Sequence, residues 1–129
     1  MSLNVVIALL LIAIGGAAIA LQAPTNARLA QVSGSPILAA AISFGVGFVA
    51  LSALTLLRDG SPIGQGLATL PWWAWTGGLF GSIYVAAAAW SVSQIGVVTM
   101  VAALILGQMG AALALDAIRA FGLTVHEIS

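Results

Sequence analysis

Residues 71–116, PWWAWTGGLFGSIYVAAAAWSVSQIGVVTMVAALILGQMGAALALD, decide the fold of this chain. They contain two apolar runs of about 20 residues, the length that an α-helix needs to cross a hydrocarbon layer about 30 Å thick. Only residues 91–96 (SVSQIG) interrupt the runs, and they are too few for anything but a tight turn. The segment therefore predicts a transmembrane helical hairpin.

The composition of the whole chain also indicates a membrane protein. Its 129 residues are 62% hydrophobic and 5% charged, with a mean hydropathy of +1.20, whereas about a quarter of the residues in soluble domains are charged. Spanning segments must be helices or a closed barrel, and no segment alternates with the period of two that a barrel strand shows. We predict an all-α integral membrane protein, one four-helix transmembrane domain over residues 1–129.

Turn signals set the expected helix bounds. The first run lacks the basic region of a signal peptide, so we expect it to be a helix, which Pro24 either ends or kinks. Ser35 and Pro36 are typical of a helix start, and four tryptophans mark the two ends of the third span. The expected helices cover 3–21, 36–57, 72–92 and 97–117, followed by a polar tail over 119–129.

Small residues, glycine among them, recur at helical spacing on each predicted span. Small side chains let helix backbones approach closely in lipid, where hydrophobicity contributes little to association. We therefore predict helix-packing roles for Gly16, Gly47, Gly77, Gly81, Gly107 and Gly110. One bundle of this size leaves little interior for a pathway, so we expect a dimer.

The basic residues bias the orientation only weakly. Chain order places Arg58 and Arg119 on one side of the membrane and Arg28 on the other. An excess of one residue leaves two possibilities open under the positive-inside rule: a single orientation, or dual topology with an antiparallel homodimer. The zero formal charge implies no nucleic acid partner.

The sequence shows no enzyme constellation. His126 is the one histidine, and the three acids, Asp59, Asp116 and Glu127, lie at or beyond the predicted helix ends. No carboxylate lies in the middle of a span, where a proton relay would need one. The chain has no cysteine. We expect no catalysis, metal or cofactor.

Six residues are candidates for binding a solute. We predict that Ser43, Trp73, Tyr84 and Gln108 line a cavity and that Asn26 and Arg28 lie at its mouth. Each candidate also has a structural alternative. Gln108 could form an interhelical hydrogen bond, and the glycines near Tyr84 could admit a neighbouring helix. Asn26 could cap a turn, and the Arg28 side chain could extend to the membrane surface. Asp116 and Arg119 are expected to pair.

A series of motifs runs along the chain: Gln22-Ala-x-x-Asn26-Ala-Arg28-Leu29, Ser35-Pro36, Ser43-Phe44-x-x-Gly47, Pro71-Trp72-Trp73, Gly77-Gly78-x-x-Gly81, Gly107-Gln108-x-x-Ala111, Asp116 and Phe121-Gly122-Leu123. Their order resembles the YdcZ-like family of the drug/metabolite transporter superfamily, which is related to the small multidrug resistance transporters.

The resemblance implies a multi-pass inner-membrane protein whose relatives occur as dual-topology homodimers, opposed pairs or fused duplicates. Two differences stand out. Relatives usually continue past the region of Phe121 into a further hydrophobic helix, which this sequence lacks. It also has no counterpart of the membrane-embedded glutamate of the small multidrug resistance transporters, so their proton-exchange mechanism is not carried over.

The leading hypothesis is a transporter of a small organic solute that works by alternating access across an antiparallel homodimer in the lipid bilayer. The first alternative is a dual-topology ion channel lined by Phe44, Phe48 and Phe80. The second is a membrane scaffold that transports nothing.

Overall fold

A computed structural model describes residues 1–59 and 66–118. Within these ranges the chain forms four long helices and two short 3-10 turns: α1 Leu3–Ser33, α2 Pro36–Asp59, the turns Leu67–Thr69 and Trp72–Trp75, α3 Gly77–Ile95 and α4 Val97–Ala117. All four helices are long and apolar enough to cross a membrane, which confirms the predicted fold class. The predicted polar tail, with Arg119, His126, Glu127 and the pair between Asp116 and Arg119, lies outside the described residues.

Helix α1 is longer than the sequence predicted. The expected end at residue 21 is wrong, because α1 continues through Pro24 to Ser33 over 31 residues. Proline lacks the N–H that would bond to the carbonyl four residues before it, here that of Ala20, and transmembrane helices tolerate this loss. The Thr25 hydroxyl donates a hydrogen bond of 2.9 Å to a different carbonyl of this turn, that of Leu21. At about 1.5 Å per residue α1 is about 46 Å long, so it tilts or emerges from the hydrocarbon layer.

The start of α2 agrees with the predicted cap. The Ser35 hydroxyl accepts a hydrogen bond of 3.2 Å from the backbone N–H of Leu38, and Pro36 is the first helical residue. The preceding Gly34 closes α1 in the left-handed conformation, with φ of 79°. The chain therefore reverses between α1 and α2 within two residues.

The third helix begins later and ends later than predicted. Residues Trp72–Trp75 form a 3-10 turn instead of the first α-helical turn, and α3 covers Gly77–Ile95 in place of 72–92. The change of geometry is stabilised by the Thr76 hydroxyl, which donates to the Trp73 carbonyl at 2.6 Å. Helix α4 has the bounds that the sequence predicted.

The helices pack tightly at one end only. Helices α1, α2 and α3 contact one another, and α4 packs at their edge against α3 and α1. We call residues 23–40 and 85–100 the packed end, because they contain every buried residue of the described chain: Ala23, Asn26, Ala27, Ala39, Ala40, Val85, Ala88, Ala89, Val92 and Met100. The remaining parts of the four helices form the open end, whose side chains are exposed or half-buried.

The predicted packing glycines have different surroundings within one protomer. A Cβ added at Gly81 would lie 3.1 Å from Cζ of Phe44, so this glycine permits a close contact between α2 and α3. The other five, Gly16, Gly47, Gly77, Gly107 and Gly110, would have no such neighbour within 4 Å. Helix packing at the packed end instead relies on alanines. A role for the five glycines between copies of the chain stays a prediction.

Candidate solute-binding site

Four of the six candidate residues lie in three separate places, and the other two lie elsewhere. Asn26 and Ser43 meet between α1 and α2, Tyr84 lines a cavity between α3 and α4, and Gln108 lines a groove between α1 and α4. Arg28 and Trp73 lie apart from these three. A single protomer therefore does not bring the six together into one site.

Asn26 and Ser43 form a polar link between two helices. Asn26 is 2% exposed, and its Oδ1 accepts a hydrogen bond from the Ser43 hydroxyl. The two residues line a groove of about 540 Å³ together with Gln22 and Thr25. Asn26 does not cap a turn, because α1 continues for another two turns. The link holds α1 to α2 at the edge of the packed end.

Removing this hydrogen bond should destabilise the protomer, and the effects of substituting its two partners should not be additive. We expect Asn26→Leu and Ser43→Ala each to lower the free energy of unfolding in lipid, with a coupling energy between them of about 0.6–2 kcal/mol. Reversible unfolding of the two single variants and the double variant in bicelles measures it. Thr55→Ala is the control, since the Thr55 hydroxyl bonds only within α2, to the Leu51 carbonyl. Additive effects of Asn26→Leu and Ser43→Ala would contradict the link.

Tyr84 lies on a small cavity between α3 and α4. The cavity has a volume of about 170 Å³ and is lined by Tyr84, Ala87, Ala88, Ser91, Ile95, Met100, Ala103 and Leu104. The Tyr84 hydroxyl is buried and has no hydrogen-bond partner among the described residues. A buried hydroxyl without a partner costs about 1–3 kcal/mol.

Gln108 occupies the next groove around α4. It is exposed and lines a space of about 360 Å³ with Gly16 and Ile12 of α1. Leu104 forms a wall of both this groove and the Tyr84 cavity. Tyr84 and Gln108 are therefore neighbours across one leucine, although their side chains line different spaces.

The remaining two candidates lie toward the membrane surfaces. Arg28, in the last two turns of α1, donates a hydrogen bond of 3.3 Å to Oε1 of Gln31, so its guanidinium is partly engaged within its own helix. Trp73 belongs to the 3-10 turn before α3 and is 38% exposed. Neither residue lines any of the three spaces that the other four candidates occupy.

Sequence reasoning predicted an α4 wall for the Tyr84 cavity but assigned it to Gln108, and it missed Met100 and Ala103. Tyr84, Ala88 and Ser91 follow one face of α3, and this spacing was the sequence signal for the α3 side of the cavity. Met100, Ala103 and Leu104 belong to an almost uniformly apolar helix, whose sequence gives no sign of which face meets α3.

Comparison with known proteins identifies the family. A family model described as "Putative inner membrane exporter, YdcZ" matches residues 7–129. The chain belongs to the YdcZ family. It is 25% identical to the inner membrane protein YdcZ of Escherichia coli (strain K12) over 114 residues, which cover 88% of this chain and 76% of that relative. No solved structure matches the chain.

Membership of the YdcZ family confirms the resemblance seen in the motifs and the multi-pass inner-membrane location. It also makes the chain a membrane transporter rather than an enzyme. Within the described ranges, the charged residues of this YdcZ-family chain lie near helix ends. Arg28, Arg58, Asp59 and Asp116 are the charged residues of the described ranges, and each lies within the last two turns of its helix.

Proposed function

We propose that this chain exports a small organic solute as an antiparallel homodimer, with the pathway between the two copies. The observation that carries the proposal is the open end. There α4 exposes Gly107 and Gly110, and α2 leaves open space beside Gly47. Exposed small-residue faces on lipid-embedded helices favour close packing against another helix.

One protomer does not enclose a pathway. The three spaces that contain candidate residues all open sideways between neighbouring helices. A second copy packed along the open end would cover them and bring candidate residues of both copies toward one interior. We expect that dimeric interior to be lined by Ser43, Trp73, Tyr84 and Gln108, with Asn26 and Arg28 at its mouth.

An antiparallel arrangement gives a direct route to alternating access. It would place the packed end of one copy beside the open end of the other on each side of the membrane. Exchange of the two copies between two asymmetric packings would then open the pathway to one side and the other in turn. The weak charge bias, Arg28 against Arg58 and Arg119, supports insertion in both orientations.

Cysteine labelling tests the orientation directly, because the chain has no native cysteine. Single cysteines at Gln94 and Ala68 mark the two sides, and both positions are exposed. With a membrane-impermeant maleimide on intact cells, we expect about half of the molecules to react at each position. Full labelling at one position and none at the other would exclude the antiparallel homodimer.

Transport is tested by reconstitution. Proteoliposomes containing the dimer should exchange a small organic solute with slow, saturable kinetics. The ion channel remains the second candidate because Phe48 and Phe80 are 73% and 67% exposed at the open end, where rings from two copies can meet. Rapid electrogenic ion flux that no organic solute saturates would favour the channel. A stable dimer without any flux would favour the scaffold.

A further inference from the structure

The groove between α1 and α2 is polar although it lies between two apolar helices. Four of its nine lining residues carry polar side chains: Gln22, Thr25, Asn26 and Ser43. Ser43 is the eighth residue of α2, about 10 Å along the helix from its start, and Val46 on the same wall is 65% exposed. The polar side chains therefore lie below the membrane surface, beside an apolar residue suited to contact lipid.

Three of the four polar side chains already form hydrogen bonds within the protomer. The Ser43 hydroxyl donates to Asn26, and the Thr25 hydroxyl donates to the Leu21 carbonyl. The half-buried Gln22 side chain has no hydrogen-bond partner among the described residues. No Gln22 atom is among the fully buried, unpartnered oxygens and nitrogens of the described ranges. Its amide is therefore accessible from the groove.

An accessible carboxamide at this depth requires a partner, because the hydrocarbon layer contains no water to bond to it. A carboxamide presents N–H donors and a carbonyl acceptor in one plane. Its best complement is a neutral group that also presents a donor and an acceptor side by side. Primary amides, lactams and ureas contain such groups.

The groove favours a neutral solute. None of its lining residues carries a charge. Arg28 lies about 9 Å from Gln22 along α1, outside the lining, and its guanidinium bonds to Gln31. An ion beside Gln22 would lose its hydration without gaining a partner of opposite charge. The groove opens sideways, so it selects a solute by the group that Gln22 binds and sets no limit on the solute's size.

From these observations we infer that the groove between α1 and α2 binds a neutral solute through a planar group with an adjacent donor and acceptor, and that Gln22 recognises this group. Asn26 and Ser43, bonded to each other, hold the two helices together beside it. The inference names the solute class for the proposed exporter and rests on that function for its physiological meaning. Binding itself can be measured without transport.

Benzamide and three analogues of nearly the same shape test the inference. Acetophenone has a methyl group in place of the amide nitrogen, so it keeps the acceptor and loses the donor, whereas benzamidinium and benzoate carry a positive and a negative charge. Ligand-observed NMR titration with the full chain in lipid nanodiscs, corrected with empty nanodiscs for partition into lipid, gives the four affinities. We expect benzamide to bind about three- to tenfold more tightly than acetophenone, the effect of one hydrogen bond. Each ion should bind at least about tenfold more weakly than benzamide.

Variants separate recognition from folding. Gln22→Met keeps an unbranched side chain of similar length and removes only the amide, so benzamide affinity should fall to that of acetophenone while acetophenone affinity does not fall. Gln94→Met makes the same replacement at an exposed position outside the groove and should change neither affinity. The comparison of benzamide with acetophenone uses the unaltered chain, so it does not depend on the folding of either variant.

Three results would overturn the inference: equal affinities of the unaltered chain for benzamide and acetophenone, a benzamide affinity that Gln22→Met leaves unchanged, or a charged analogue that binds as well as benzamide. A lipid ester carbonyl or a helix of a second copy bonded to Gln22 would give the first of these. With a second copy as the partner, Gln22→Met would also weaken dimerisation.

The outcomes for binding and function are separable. Benzamide binding without any exchange in proteoliposomes would contradict the proposed function alone. Exchange of other organic solutes by a chain that shows no preference for benzamide over acetophenone would contradict the inferred solute class alone.

Discussion

Copies of this chain that are forced into one orientation should be inactive alone and active together. The substitution Leu57→Lys would place three basic residues on the side of Arg58 against one on the other side, counted from the arginines of the sequence. The set Val32→Lys, Gln94→Lys and Val98→Lys would place four against two, with the opposite bias. The positive-inside rule predicts opposite single orientations for the two variants.

An antiparallel pathway requires both orientations in one dimer. Each biased variant alone should therefore retain less than about a tenth of the exchange activity, and co-expression should restore most of it. The four altered side chains are exposed and line none of the three candidate spaces. Proteoliposome exchange measures the activity, and maleimide labelling at a cysteine placed at Ala68 measures the orientation.

The control variants carry glutamine in place of the introduced lysines, so they add a polar side chain without a charge. Val32→Gln with Val98→Gln, and separately Leu57→Gln, should leave dual orientation and exchange unchanged. Full activity of either lysine variant in a demonstrated single orientation would show that the antiparallel homodimer is not the transporting unit.

The second large effect concerns the glycine face of α4. Replacing Gly107 and Gly110 together by leucine should weaken dimerisation by at least about tenfold, or about 1.4 kcal/mol, and reduce exchange to background. Both positions have open space beside them within the protomer, and leucine has a higher helix propensity than glycine. The protomer should therefore keep its fold while the contact between copies is lost.

Single-molecule photobleaching of labelled chains in dilute bilayers measures the dimer equilibrium. The double variant Ala102→Leu and Ala112→Leu adds leucines to the opposite face of α4, at exposed positions, and should leave the equilibrium near that of the unaltered chain. If the control weakens the dimer as much as the glycine variant does, α4 contributes through a different face. If neither changes it, the interface lies elsewhere.

The helix starts and ends were predictable where local chemistry decides them. Ser35 and Pro36 begin α2 as their cap geometry requires, and Gly96 separates α3 from α4. Pro24 was the misleading signal, since a proline that usually ends a helix in a soluble protein is tolerated inside a transmembrane helix, and α1 continues through it. The start of α3 was misplaced because residues 72–75 have the hydropathy of a helix but adopt a 3-10 turn.

The arrangement of the candidate site was not predictable from sequence. Asn26 and Ser43 were each recognisable as polar residues in apolar spans, but their pairing depends on how α1 and α2 pack. Tyr84 and Gln108 were expected to share a cavity, yet they lie on either side of Leu104. Helices that are apolar on all sides carry little information about which face meets which neighbour.

The single-residue connection at Gly96 restricts how α4 can move. The N–H of Gly96 bonds to the Val92 carbonyl at 3.0 Å, and its own carbonyl accepts from the N–H of Met100 at 3.1 Å, so the residue belongs to the hydrogen-bond ladders of both helices. With φ of 79° and ψ of 166°, it occupies a conformation that is almost exclusive to glycine. Sliding of α4 along α3 would break these hydrogen bonds, so we expect α4 to move by tilting about Gly96, as a lever pivoted at one end. Because 21 residues make a lever about 31 Å long, a tilt of about 10° moves its far end by about 5 Å, roughly half the distance between packed helices.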